Sequence, residues 1–189
     1  MPIPFRDADE VEELGAAGFL KIENGPSPSE FIAALFLVSG RGEPLEFAYN
    51  RIETPNSFLW RKPDLRRYVE RKLTASVLQV CRRVPTLLLC LADEAGSELF
   101  CQDIRVSVPV GRIGEPLKAA AHAATESPEL LEEPPDVHVF WFPGSPPGES
   151  VERRLFSRLS LHGLLLEPFQ RASVGLREVY SNGRAPASP

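Results

Sequence analysis

The chain has 189 residues, 43% of them hydrophobic and 25% charged, a composition that folds by burial and excludes disordered and fibrous chains. Its net charge of −5 argues against a protein that coats nucleic acid, and three cysteines spaced nine and eleven residues apart suggest neither a disulfide framework nor a zinc knuckle, only free thiols. The longest apolar run, Phe31 to Val38, has eight residues, well short of the ~20 that a membrane helix needs.

The amino terminus, MPIPFRDADEVEEL, is acidic and broken by proline, with neither the basic start nor the apolar stretch of a secretory signal. The expected location is therefore the cytoplasm, without membrane contact. Asp7 to Leu14 predicts a short acidic helix. Gly18 to Glu23 alternates like a strand and stops at the breaker run from Asn24 to Pro28, which reads as an edge-like opening. Phe31 to Val38 is apolar on both faces and predicts a central strand covered on two sides. Two glycines and a proline between Ser39 and Pro44 then turn the chain. Leu45, Phe47 and Tyr49 point to one face of the returning strand, while Glu46, Ala48 and Asn50 point to the other. A hairpin from Phe31 to Glu53 is the firmest element.

Pro63 and Asp64 mark a helix start, after which Leu65, Tyr68, Val69, Leu73, Val77 and Val80 recur at three- and four-residue spacing. This stripe predicts a helix lying on the hairpin sheet, with Arg66, Arg67, Arg71 and Lys72 on or beside its outer surface. Pro85 ends it, and Thr86 to Leu91 is a fully apolar strand running into Asp93, Glu94 and Gly96. The order predicts an α/β (or α+β) fold, a mixed sheet opening β-β-β-α-β with helices packed on it. Glu98 to Ile104 and Val106 to Val110 predict a further hairpin or irregular strands, and Glu115 to Thr125 a short alanine-rich helix. Ser127 to Asp136 reads as a loop, Val137 to Phe142 as a buried strand, and Pro143 to Gly148 as a second breaker. Ser150 caps a helix through Leu161, and Glu167 to Tyr180 has Phe169, Val174, Leu176 and Val179 to bury. Residues 1–180 are expected to form one domain, and 181–189 a disordered tail.

The hairpin segment Gly42-Glu-Pro-Leu-Glu-Phe47, the following helix, the LLL strand and the late Leu166-Glu-Pro-Phe169 resemble a group of bacterial proteins that share a GxPLEF hairpin. That resemblance covers about three quarters of the chain and brings no activity with it. Read from the residues alone, Gly42 and Pro44 are turn chemistry. The layout of three strands, a helix and a strand ending in Asp93 also resembles the ribonuclease H-like fold of endonuclease V. In those enzymes carboxylates at strand ends bind Mg²⁺ for two-metal phosphodiester cleavage. The resemblance implies Asp93 as the strand-end carboxylate. It also calls for an aspartate within the first strand, whereas the chain has none between Asp9 and Asp64, leaving Glu23 and Glu46 as substitutes. Mg²⁺ is implied only under this nuclease alternative; otherwise no cofactor or metal is expected.

No other constellation carries catalysis. GRGEP lies between two strands and lacks a phosphate-binding lysine, and His122, His138 and His162 have no partner motif. One charge asymmetry stands out: Arg61 to Arg83 holds eight basic and two acidic residues, +6 against −11 for the remainder. Phe58, Trp60, Arg61, Arg66, Arg67 and Arg71 thus form an aromatic and basic segment suited to a protein interface. The expected function is a non-catalytic interaction or accessory domain, contacting a protein partner or its own copy. Nucleic-acid binding without cleavage is the further alternative.

Overall fold

The computed structural model describes residues 14–54, 56–115, 123–132 and 136–181. Most of the expected acidic helix at 7–14, the core of the alanine-rich helix at 115–125 and the tail beyond 181 lie outside the described residues.

The elements in chain order are β1 (Ala16–Asn24), β2 (Glu30–Ser39), β3 (Pro44–Glu53), α1 (Lys62–Val80), β4 (Leu87–Leu91), β5 (Val110–Gly114), β6 (Ser127–Leu130), β7 (His138–Phe142), α2 (Val151–Leu161) and α3 (Glu167–Ser181). The strands form one seven-stranded sheet in the order β3-β2-β1-β4-β5-β7-β6. β1, β4 and β5 run parallel, and the pairings of β1 with β2, β2 with β3, β5 with β7 and β6 with β7 are antiparallel. This is the expected mixed sheet with a β-β-β-α-β opening. The crossover from β3 to β4 runs through α1, because a strand placed parallel to β1 cannot be reached by a tight turn.

Helices cover both faces. Val69, Leu73 and Val77 of α1 pack on Leu20, Leu35, Leu88 and Cys90. On the other face Leu155, Phe156 and Leu159 of α2, with Phe169 and Ala172 of α3, pack on Phe19, Leu89, Ile113 and Trp141. Central strands buried on both sides read as near-continuous apolar runs, and Leu87 to Cys90 are all 1% exposed or less. Pro63 and Asp64 sit in the first turn of α1, as expected of a helix start, and the predicted cap of α2 forms, the Ser150 hydroxyl accepting from the Arg153 amide at 3.1 Å. Gly42 takes a left-handed φ of 79° in the β2–β3 turn, where a side chain would also meet Leu164. Gly111 lies opposite Trp141, whose ring and the Leu89 and Val139 side chains leave no room for a Cβ.

Five expectations are corrected. β1 is an interior strand between β2 and β4, not an edge: Lys21 and Glu23 look like a solvated face, but their charges are paired within the protein. Leu45 joins the α1 face while Phe47 packs on the other cluster, because a bulge between Leu37 and Val38 shifts the register of β3. The segment at 98–110 is no hairpin; a π-turn spans Leu99–Asp103, and the strand begins only at Val110. Ser127–Leu130, read as loop, is an edge strand, the one setting in a sheet that tolerates Pro128. Val174 of α3 is 53% exposed rather than buried. The three cysteines are free, Cys90 buried and Cys81 and Cys101 half-buried. Among the described residues no helix is long and apolar enough to cross a membrane.

Candidate functional site

β1 and β4 are adjacent and parallel, so their carboxyl ends open on the same side, beside the start of α1. A cleft of about 560 Å³ lies there, its polar lining supplied by Glu23, Lys62, Arg66, Glu70, Asp93 and Glu94. Open α/β sheets place ligands at such strand ends.

Glu94 follows β4 on a tight turn whose Glu94 and Ala95 amides both donate to the Leu91 carbonyl. Its carboxylate receives the Lys21 ammonium from β1 and, at 3.1 Å, the amide of Ile22. Burial pushes the Glu94 carboxyl above its ordinary pKa, while Lys21 and the Ile22 amide pull it down. Glu23 lies 3.7 Å from the same ammonium through Oε1, an atom that is buried and has no hydrogen-bond partner among the described residues. Glu70 is 5% exposed and accepts from Arg66 Nε at 2.5 Å and from the Gly96 amide at 2.8 Å. Arg66 also donates to the Asp93 carbonyl at 2.8 Å, so α1 is tied directly to the turn after β4. Deeper in, Arg112 of β5 is 3% exposed, forms a two-pronged pair with Glu126 at 2.7 and 3.2 Å, and donates to the Ala95 carbonyl.

Of the three carboxylates expected under the nuclease alternative, Asp93 and Glu23 line the same cleft and Glu46 does not. Asp93 is exposed at the cleft rim, and Glu23 lines the cleft wall. Glu46 instead accepts from the Arg82 and Arg83 amides at the far end of α1, and these bonds hold its carboxyl below the usual range. No group of three or more His, Cys, Asp or Glu side chains among the described residues is arranged to hold a metal ion. A two-metal centre asks for several carboxylate oxygens free to converge on the ions. Here Glu70 and Glu94 are engaged by cations and amides of the protein itself, and the residues present do not fit the group. His138 lies in β7 and stacks on Phe140, His162 caps the end of α2, and His122 falls outside the described residues.

The aromatic and basic segment stands beside the cleft. Asn56, with a left-handed φ of 57°, leads into a single 3₁₀ turn at Ser57–Leu59 that turns its apolar side chains outward. Phe58 is 81% and Leu59 73% exposed. Trp60 is half-covered by Tyr68, with ring centroids 5.0 Å apart. The cations are more committed than the sequence suggests. Arg61 pairs with Asp64 at 2.6 Å. Arg67 grips Asp103 through two bonds of 2.8 Å and reaches Glu98 at 2.6 Å, fastening α1 to the π-turn. Arg71 is exposed on the next turn of α1.

Lys21, Glu70, Arg112, Glu126 and Leu59 were not singled out from sequence as site residues. A signal exists for three of them: Lys21 and Arg112 interrupt apolar strands, and Glu70 follows Val69 on the inner side of α1. A charge at an inward position is buried only with a partner, but sequence does not say which one.

No protein-family profile matches the sequence, and no curated protein matches it. Among solved structures, the chain is similar to an endonuclease V from Streptomyces avermitilis, with a TM-score of 0.57 and 15% identity over 90% of this chain and 83% of that one. It is also similar to an endonuclease V from Bacillus subtilis, with a TM-score of 0.52 and 11% identity over 92% of this chain and 84% of that one. Identities this low show the fold alone. That fold is of the endonuclease V type, consistent with the ribonuclease H-like layout.

Proposed function

We propose that this chain is a non-cleaving interaction or accessory domain that docks a protein partner, or a second copy of itself, through Phe58, Leu59 and the start of α1. The observation that carries this reading is the exposure of Phe58 and Leu59, 81% and 73%, side by side on a turn held by backbone bonds. Two adjacent large apolar side chains left in water are covered at a free-energy gain when a partner supplies a pocket for them. The engagement of Glu94 by Lys21 and of Glu70 by Arg66 supports the absence of cleavage.

A protein partner is favoured over nucleic acid because Arg61, Arg66 and Arg67 are each paired to carboxylates of this chain and are not free to neutralise phosphates. Nucleic-acid binding without cleavage is the second reading, favoured by the likeness in fold to two endonucleases.

The experiment compares wild type with Phe58→Ser/Leu59→Ser by solution mass and by capture of partners from cells that express the chain. The expected result is loss of self-association or of a captured protein while the unfolding midpoint holds. Equal behaviour of the two proteins removes the docking surface. Oligonucleotide binding that weakens steeply with salt would move the reading to nucleic acid, and Mg²⁺-dependent cleavage would restore the nuclease.

A further inference from the structure

Lys21 is placed unusually for a lysine. It stands on β1 opposite Ala34 of β2, one residue past the last pair that β1 makes with β4, and its side chain is only 14% exposed. Its ammonium contacts Glu94 and lies 3.7 Å from Glu23, carboxylates that are themselves 16% and 22% exposed. Ammonium groups are among the most strongly hydrated in proteins, and one is drawn under a cleft only by anions that need it there.

Glu23 is the second carboxylate on this ammonium. Its Oε1 is buried and receives no hydrogen bond among the described residues. A carboxylate oxygen away from water normally collects donors. The nearest charge to this one is the Lys21 ammonium, 3.7 Å away and beyond hydrogen-bond reach. Glu94 completes the arrangement, one oxygen on the ammonium and the other on the Ile22 amide, so its orientation is fixed independently of Lys21.

We propose that the Lys21 ammonium is the resident cation of this cleft, standing between Glu23 and Glu94 where a divalent ion would be held, and that neutralising Lys21 creates a divalent-cation site from those two carboxylates. Small hard cations are commonly held by one or two carboxylates with water completing the shell, so two oxygens from Glu23 and Glu94 suffice. In the wild-type protein the same oxygens face a fixed positive charge, and a second cation is repelled. The cleft is therefore indifferent to divalent ions, and whatever the domain binds is bound equally well in EDTA. Without the ammonium, two partly buried carboxylates face each other unbalanced, and uptake of Mg²⁺ or Mn²⁺ relieves both the repulsion and the orphaned oxygen.

The inference rests on reading the cleft as non-cleaving. The test uses the full chain and Mn²⁺ alone, as the chloride, with paramagnetic resonance of bound Mn²⁺ and the thermal unfolding midpoint as readouts. Wild type is expected to bind no Mn²⁺ in the cleft and to show no shift. Lys21→Met, which keeps the apolar stem, is expected to bind one ion and to gain about 3–6 °C at Mn²⁺ tenfold above its Kd. Adding Glu94→Gln to that variant is expected to abolish both signals. Lys21→Gln, whose amide still donates to Glu94, is the milder variant and is read the same way. Mn²⁺ bound by wild type and lost on Glu94→Gln overturns the proposal, as does the absence of Mn²⁺ binding in both Lys21 variants. Cleavage of nucleic acid by the wild type would sink this inference together with the proposed function, whereas silence of the Lys21 variants sinks this inference alone.

Discussion

The ammonium of Lys21 is bonded to the carboxylate of Glu94, 73 residues further along the chain, and that one contact joins the carboxyl end of β1 to the turn after β4. It does so at the place where the sheet offers its cleft. Arg66 with Glu70 lines the same cleft, and Arg112 with Glu126 lies behind the turn after β4, where Arg112 also donates to the Ala95 carbonyl. Closed ion pairs of this kind resist rearrangement, because a buried charge is stranded if its partner moves.

Arg112 and Glu126 are the most buried of these pairs, with side chains 4% and 1% exposed. Arg112→Met strands Glu126 and is expected to cost about 3–5 kcal/mol, the range for removing one partner of a buried pair. Arg112→Met/Glu126→Leu removes both charges and is expected to recover most of that loss. Urea denaturation of the two variants decides it; equal destabilisation would mean that the pair is held by its shape and not by its charge.

Two carboxylates give opposite pH dependences. Glu129 accepts from both terminal nitrogens of Arg153 at 2.6 and 2.7 Å, and from the Trp141 indole at 2.8 Å. Arg153 above all holds the Glu129 carboxyl below its ordinary range, against the effect of burial. Its folded pKa is thus below its unfolded one, so its contribution is present above the ordinary glutamate range and is lost as pH falls through it. Glu129→Gln is expected to lower stability at pH 7 by roughly 1–2 kcal/mol and to flatten the acid-side decline. Glu94, raised chiefly by burial, works the other way: its contribution is present at low pH and lost as pH rises. Urea midpoints from pH 7 down to pH 3 for wild type, Glu129→Gln and Glu94→Gln read both signs.

Leu73 and Phe58 separate packing from surface. Leu73 is fully buried in the middle of α1, and Leu73→Ala is expected to cost about 2–5 kcal/mol through the cavity it leaves. Phe58→Ser, on an exposed turn, is expected to stay within about 0.5 kcal/mol of wild type. A large loss from Phe58→Ser would show that the turn is part of the folded core, and would remove it as a docking surface.

Much of the fold was legible because burial imposes periods on sequence. The hairpin of β2 and β3, the stripe of α1 from Leu65 to Val77, though not Val80, which is 55% exposed, the apolar β4 and β7, and the Ser150 cap of α2 all follow from it. Three strands were misread for specific reasons. β1 carries Lys21 and Glu23, which alternate with apolar residues as on an edge. β5 is interrupted by Gly111 and Arg112, and β6 begins Ser-Pro, which reads as a turn. In each case the missing information was a partner: Glu94 for Lys21, Trp141 over Gly111, and β7 beside Ser127.

The site divides the same way. Sequence alone determined that an aromatic and basic segment follows the hairpin, that Asp93 and Glu94 close an apolar strand, and that no aspartate lies in β1, because these depend only on residue identity and order. Only the tertiary structure decided which charges meet: that Arg61, Arg66 and Arg67 are paired, that Glu46 accepts the amides of Arg82 and Arg83 just past α1, and that Lys21 stands between Glu23 and Glu94. An amphipathic period records which face of an element is buried, but an ion pair has no period. Its partner lies wherever strand order brings opposite charges together, and that order is set by the packing of the whole sheet.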